Sequence, residues 1–135
     1  MPMSREEAVE FLLEHYQNPQ HRGHVHEATF TRSGGNPGCS DVVEMSAHIA
    51  PDGTLTEVAF DGQGCTISMA AADYVAEIAA GMTVEEIEQY SAEQLMDDLG
   101  REIVMTRPTC ATSALTILKQ AVHEYHMQQR AQQSA

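Results

Sequence analysis

The chain changes its hydrophobic period once, near its middle, and this change limits the folds that it can form. Residues 42–60 alternate apolar with polar side chains around the turn sequence Pro-Asp-Gly at 51–53, which predicts an antiparallel hairpin. After Cys65 the apolar residues recur at helical spacing, three or four positions apart. Because strands come first and helices follow, we predict an α+β fold, in which a small antiparallel β-sheet packs against helices on one face.

Signals that begin and end helices divide the rest of the chain into short elements. A capping-box pattern, with Ser or Thr three residues before Glu or Gln, begins three of the predicted helices. A weak strand is predicted at residues 24–31, before a loop rich in Gly, Ser, Asn and Pro. Helices are predicted at residues 5–17, from Cys65 to about Gly81, in two short segments up to about Leu99, and from about Thr109 to Met127.

The whole chain, residues 1–135, is expected to form one domain. Its length is sufficient to bury a core, and neither an internal repeat nor an interdomain linker interrupts it. Residues from about 128 to 135 carry no core-forming side chains, so we expect this tail to fray.

The acidic composition argues against binding to nucleic acid or to an anionic membrane. The chain has 7 Lys and Arg against 20 Asp and Glu, a formal net charge of −13, whereas recognition of a phosphate backbone depends on concentrated positive charge. The longest apolar run is far below the roughly 18 residues of a membrane span. The first residues also lack the order of basic and then apolar residues of a secretory signal. We therefore expect a cytoplasmic protein.

The three cysteines carry the strongest chemical signal. An odd number cannot pair completely within one chain, and a reducing compartment keeps thiols reduced, so a metal site or a reactive thiol is favoured over a disulfide framework. Cys39 lies two residues before Asp41. In an extended chain such a pair points to one side, with Cα atoms roughly 6 to 7 Å apart. Both side chains can then reach one ion.

The other two cysteines lie where helices are predicted to begin. Cys65 follows a glycine-bordered turn, and Cys110 starts the last helix, three residues after Arg107. A helix N-terminus carries unsatisfied N–H groups and partial positive charge, which favour the thiolate that binds metals or attacks sulfur. Arg107 adds a fixed positive charge in the same neighbourhood.

Three thiolates and one carboxylate provide enough ligands for one tetrahedral zinc ion or for the two irons of a [2Fe–2S] cluster. We therefore predict Cys39, Asp41, Cys65 and Cys110 as the ligands of zinc or iron, in a site with a net charge of about −2. The alternative is that the cysteines only fill space in the core. Their positions at element boundaries, beside glycine or a helix start, argue against it.

Four segments of the sequence, taken together, are specific enough to indicate a protein family. They read "EHYQNPQHRG", "GNPGCSDVV", "FDGQGCTIS" and "RPTCATSAL", and the cysteines follow the pattern C-x25-C-x44-C. In these segments the chain resembles the family of iron–sulfur cluster assembly scaffold proteins, the IscU, SufU and NifU N-terminal-domain group.

The resemblance implies a SufE/NifU-like scaffold fold. It also implies a protein that accepts sulfur from a cysteine desulfurase, binds iron and transfers a transient [2Fe–2S] cluster to apo iron–sulfur acceptor proteins. Carried over to this sequence, it makes Cys39, Cys65 and Cys110 ligands, and Asp41 the ligand that keeps a bound cluster labile. A carboxylate is a harder ligand than a thiolate, in keeping with ready release.

The sequence departs from both main patterns of this family. IscU proteins carry a histidine before the third cysteine and an upstream LPPVK chaperone motif. This chain has Thr109 and "REIVMTRP" instead, which argues against recognition by an Hsp70-type chaperone. Arg107 is similar to the arginine of SufU proteins, but the x44 spacing has no room for the SufU insertion. We therefore predict a SufU-like site in an IscU-length chain.

Three functions remain open from the sequence. The first is a non-enzymatic scaffold for cluster assembly. The second is a zinc-dependent sulfurtransferase of the SufU type, in which Cys110 accepts the sulfur and Arg107 helps to hold the loosened ligand. The third is a structural zinc domain, in which metal removal unfolds the protein.

Overall fold

The computed structural model describes residues 3–36 and 41–133, with only the backbone of Asn36, Asp41 and Gln133. Cys39 therefore lies outside the described residues. Nine elements follow one another along the described chain: α1 Arg5–Gln17, β1 Phe30–Asn36, β2 Asp41–Ile49, β3 Leu55–Gln63, α2 Thr66–Ala79, α3 Val84–Gln89, α4 Ala92–Leu99, α5 Arg101–Val104 and α6 Pro108–Gln133. The predicted α+β architecture is confirmed.

The described strands form one antiparallel sheet in the order β1-β2-β3. The hairpin predicted at 42–60 is confirmed as β2 and β3, with the residues predicted for its buried face in the core: Val43, Met45, Ala47 and Ile49. The alternation predicted for β3 fails at Thr56, which is exposed. A register shift between His48 and Ile49 is the reason, because it inserts an extra residue opposite this point.

The first strand was predicted too early in the sequence. Instead of residues 24–31, β1 covers Phe30–Asn36 and uses the first half of the region predicted as a loop. A Cβ atom added at Gly34 would lie 3.1 Å from Cγ1 of Ile117 on α6. Gly34, which lowers the strand propensity, thus lets α6 approach the sheet, and this packing overrides the local preference.

Helices α2 and α6 cover one face of the sheet and contact each other. Residues at the end of α2 bond to the start of β3, since the N–H of Gly81 donates to the carbonyl of Leu55 at 2.7 Å. Helix α2 therefore runs antiparallel to β3. Helix α6 runs antiparallel to β1, because Arg32 pairs with Glu124 while Gly34, further along β1, meets Ile117. The two helices are consequently parallel, with both N-termini at one end of the sheet.

The helices match the predictions except at two places. Capping boxes at Ser4, Thr83 and Ser91 begin α1, α3 and α4 as predicted. Helix α5 was not predicted; Gly100, with φ +97°, lets it start directly after α4. Helix α6 continues to Gln133, six residues beyond the predicted end. Within the described ranges, no helix is both long and apolar enough to cross a membrane.

Candidate metal centre

One end of the sheet carries the start of β2 and the end of β3. Asp41 begins β2 and pairs with Asn36, the last residue of β1. Its neighbour Val42 pairs with Gln63, and Cys65 follows Gln63 by two residues. The backbone of Asp41 and the Cys65 residue therefore lie at the same end of the sheet. Cys39 falls between Asn36 and Asp41 in the sequence, outside the described residues.

The start of α6 faces this same end. Along β1 from Arg32 to Gly34, the contacts on α6 move back from Glu124 to Ile117. The residues at the end of β1 therefore lie nearest to the start of α6, where Cys110 is located. The fold therefore brings the start of α6 to the sheet end where β2 begins and β3 ends.

Cys65 is the N-cap residue of α2, as its predicted place at a helix start implies. Its Sγ accepts the backbone N–H of Ser68 at 3.5 Å and lies 3.1 Å from the Oγ of Ser68. The residue is half-buried. Cys65 thus offers its sulfur at the positive end of a helix, where a thiolate is electrostatically favoured.

Cys110 lies inside α6 rather than before it. Pro108 is the first residue of the helix, a position that suits proline, and Cys110 is the third. Its residue exposure is 1%, so in this conformation it is less accessible than Cys65.

Arg107 directly precedes α6 and is exposed. Its backbone N–H donates to the carbonyl of Val104 at 3.0 Å, and its carbonyl accepts from Ala111 at 3.0 Å. These bonds fix the turn between α5 and α6. The guanidinium group is therefore carried on an ordered backbone, three residues before Cys110.

The predicted ligand set is only partly within the described structure. Among the described side chains, no three His, Cys, Asp or Glu residues form a group able to hold a metal ion. Two of the four predicted ligands, Cys39 and Asp41, have no described side chain. The four-ligand site remains a prediction. The fold places the backbone of Asp41, Cys65 and the start of α6 at the same end of the sheet.

Sequence reasoning missed a polar network beside Cys65. Nη2 of Arg22 donates to the carbonyl of Gly62 at 2.6 Å, and its Nε lies 3.5 Å from Asp61. Nδ1 of His24 lies 2.7 Å from Glu44, and its Nε2 lies 3.3 Å from Asp61. Glu44 and Asp61 are cross-strand partners, so their carboxylates lie next to each other. The side chains of Arg22 and His24 bring N–H groups to these carboxylates. The segments "EHYQNPQHRG" and "FDGQGCTIS" contain Arg22, Asp61 and Gly62, but their sequence does not show that these residues meet.

Ser68 is the second residue that sequence reasoning missed. A signal for it exists, because Ser68 follows Cys65 by three residues, the spacing of a capping box. Its hydroxyl and its backbone N–H both contact the Sγ of Cys65.

The three-stranded antiparallel sheet, with α2 and α6 on one face and both helix starts at one end, defines the class of the protein as a small α+β domain. The chain belongs to the family described as NifU-like N terminal domain, whose model matches residues 7–132. It is 30% identical over 118 residues to the "Bifunctional protein NifU/MnmA" of Rubrobacter xylanophilus, covering 87% of this chain and 24% of that protein. It is 25% identical over 114 residues to "Iron-sulfur cluster assembly scaffold protein IscU 1" of Archaeoglobus fulgidus, covering 84% and 73%.

A further relative is the "Zinc-dependent sulfurtransferase SufU" of Bacillus subtilis, 32% identical over 75 residues, with 55% of this chain and 49% of that protein covered. Among solved structures, a NifU-like N-terminal protein from Brucella abortus superposes with a TM-score of 0.74 at 14% identity, covering 92% and 99%. The putative SUF scaffold of Fervidobacterium islandicum AW-1 gives 0.70 at 21%, covering 84% and 94%. At these identities the structures show the shared fold.

Proposed function

We propose that this chain is a scaffold on which a [2Fe–2S] cluster is assembled and from which it is handed on. The carrying observation is the convergence of Asp41, Cys65 and the Cys110 helix start at one end of the sheet. The family and its relatives named as iron–sulfur scaffold proteins support the same role. The relatives do not assign partners to this chain, so a cysteine desulfurase and apo acceptor proteins are part of the proposal.

The predicted ligands suit a cluster that is bound only transiently and then released to another protein. Thiolates of Cys39, Cys65 and Cys110 would hold iron, while the carboxylate of Asp41 would be the weaker ligand. Two parallel helices direct the partial positive charge of their N-termini to this end, which offsets the negative charge of the ligand set. Sulfur delivered as persulfide must be reduced to sulfide by an external electron donor. We place this work in the cytoplasm, where thiols remain reduced.

The experiment is anaerobic incubation of the purified chain with iron, cysteine and a cysteine desulfurase. A scaffold develops the visible absorbance of a [2Fe–2S] cluster and then passes the cluster to apo-ferredoxin. Cys65→Ser should lose the stable absorbance, whereas Ser113→Ala on α6, which leaves all cysteines in place, should keep it. Absorbance that never forms, or that never transfers, contradicts the proposal.

The second candidate is a zinc-dependent sulfurtransferase. The position of Arg107, on a fixed turn three residues before Cys110, favours it, as does the similarity to the SufU protein. In that role the desulfurase displaces a zinc ligand, and a released thiolate accepts the sulfur. Tightly bound zinc in the purified protein, stimulation of desulfurase turnover and no transferable cluster would favour this candidate over the scaffold.

A further inference from the structure

We propose that Ser68 is a positioning residue for the sulfur of Cys65, and that its hydroxyl weakens this sulfur as a metal ligand. The Oγ of Ser68 lies 3.1 Å from the Sγ, and the Ser68 N–H donates to the same sulfur at 3.5 Å. The inference rests on the proposed function in one respect, because it takes Cys65 to be a ligand of the cargo metal.

The N-cap of α2 differs from the other capped helices. At Ser4, Thr83 and Ser91 the cap side chain is a hydroxyl, and a Glu or Gln three residues later accepts the backbone N–H of the cap. At α2 the cap is a thiol, and the residue three positions later is a serine whose hydroxyl meets the cap side chain. In α1, α3 and α4 the side chain three residues after the cap hydrogen-bonds to the backbone of the cap residue. In α2 the side chain at the same position contacts the sulfur of the cap residue instead.

Burial and charge fix the direction of this hydrogen bond. A thiolate can only accept, so the hydroxyl of Ser68 donates to it whenever Cys65 is ionised or bound to metal. Ser68 is 0% exposed, so water cannot replace the hydroxyl. A hydrogen bond to an ionised acceptor is also stronger than one between neutral groups.

The hydrogen bond has two consequences for a bound metal. It holds the Sγ over the first turn of α2, so that the sulfur presents its remaining lone pairs in one direction. It also withdraws electron density from the sulfur, which raises the reduction potential of an iron–sulfur cluster and weakens the metal–sulfur bond. Ser68 thereby favours release on the Cys65 side of the site.

Cys110 provides an internal comparison. Ser113 follows Cys110 by the same three residues, but its hydroxyl donates to the backbone carbonyl of Cys110 at 3.3 Å and not to the sulfur. Substituting Ser113 therefore removes a serine hydroxyl at the same spacing without removing a hydrogen bond to sulfur.

The test uses the full chain loaded with Co²⁺, whose charge-transfer band from thiolate responds to hydrogen bonding at sulfur. Ser68→Ala should shift this band to lower energy and slow the loss of Co²⁺ to a chelator by about ten-fold, the effect of one charge-assisted hydrogen bond. Ser68→Thr should retain the parent band, and so should Ser113→Ala. Ser68→Ala removes one buried atom at a helical position where alanine is favoured, so the variant should fold, and far-ultraviolet circular dichroism checks this.

Three outcomes overturn the proposal. These are an unchanged band in the variant without the hydroxyl, an equal shift in Ser113→Ala, and a parent chain with no thiolate-to-Co²⁺ band at all. The scaffold role fails in a different way. A parent chain that shows the band and its dependence on Ser68, but never transfers a cluster, keeps this proposal and loses the proposed function.

Discussion

The buried carboxylate of Asp73 holds His15 across the contact between α1 and α2. Nδ1 of His15 lies 2.5 Å from Oδ2 of Asp73, which is 1% exposed. The other oxygen, Oδ1, accepts the backbone N–H groups of Gln20 at 3.0 Å and His21 at 2.9 Å. One side chain of α2 thus organises both the end of α1 and the connection that follows it.

Asp73→Ala should lower the free energy of unfolding by about 3 kcal/mol, because it leaves two backbone N–H groups of part-buried hydrogen bonds and one imidazole without their acceptor. Urea denaturation measures the change. Glu77→Ala, one turn further along α2 at a half-exposed carboxylate, is the matched control and should change stability by no more than about 0.5 kcal/mol. Equal effects of the two substitutions would contradict the role of Asp73.

Gly62→Ala should damage the hairpin beside Cys65. Gly62 has φ +131°, and a Cβ atom there would collide with the carbonyl oxygen of Val42. Gly23 has the similar φ of +139°, but a Cβ atom added at Gly23 would meet no other atom within 4 Å. Gly23→Ala should therefore cost about 1 kcal/mol of backbone strain, and Gly62→Ala clearly more, about 3 kcal/mol. Thermal or urea unfolding of both variants isolates the collision, and equal losses would rule it out.

The ionisation of Tyr74 should report on Asp98. Burial, and then the charge of Asp98, raise the pKa of Tyr74 from 10.0 to about 12. The hydroxyl of Tyr74 donates to Asp98 at 3.2 Å, and that of Tyr90 does so at 2.6 Å, where the pKa is also raised. Asp98→Asn should lower the pKa of Tyr74 partway toward 10, as measured by NMR of labelled tyrosine rings. An unchanged pKa would leave burial as the whole cause.

This shift has a definite sign for stability. The folded state keeps the proton of Tyr74 to a higher pH than the unfolded state, whose tyrosines ionise near 10. The stabilising contribution is complete below pH 10 and disappears as the pH rises from about 10 to about 12. Asp98→Asn should therefore flatten the loss of stability in this alkaline range.

Asp41→Ala should give a longer-lived cluster. Under the proposed function Asp41 is the weak ligand, so its removal should slow transfer to apo-ferredoxin, which visible absorbance follows in time. Asp52→Ala is a suitable control, because Asp52 lies in the turn between β2 and β3, at the opposite end of the sheet. Transfer at the parent rate from Asp41→Ala would refute the assignment.

Arg107→Ala should slow the acceptance of sulfur from a desulfurase, as measured by mass spectrometry of persulfides. Arg107→Lys keeps the charge but not the planar group, and it should restore only part of the rate. Arg101→Ala is the control, because it removes a different arginine, whose guanidinium forms salt bridges with Asp97 and Glu93, each at 2.7 Å. Sulfur acceptance at an unchanged rate in Arg107→Ala would remove Arg107 from the mechanism.

Local signals predicted most of the fold correctly. Alternation located the β2–β3 hairpin, and the capping boxes at Ser4, Thr83 and Ser91 located three helix starts. These features depend on residues close together in the sequence. The first strand was misplaced because the close approach at Gly34 involves Ile117, which is more than eighty residues away in the sequence.

The candidate site stays a prediction, but the sequence located the two helix starts near it and did not indicate how they pack. The three cysteines and Asp41 stand out by residue type, and the helix starts at Cys65 and near Cys110 were visible as changes of pattern. The burial of Cys110 and the contact of Ser68 with sulfur were not, because both depend on how α2 and α6 pack. Side-chain contacts of this kind follow from tertiary structure, and a spacing of three residues alone is too common to single them out.

The parallel arrangement of α2 and α6 links the thermal stability of this chain to what it carries. Neighbouring parallel helices place like partial charges beside each other at both ends, which is a small electrostatic strain within the fold. Under the proposed function, an anionic metal site at the N-terminal end would relieve that strain, and binding to the folded state alone would add to its stability. The loaded chain should therefore melt at a higher temperature than the empty one. Transfer of the cluster would then return the protein to its less stable, metal-free form, which can bind a new cluster or be degraded.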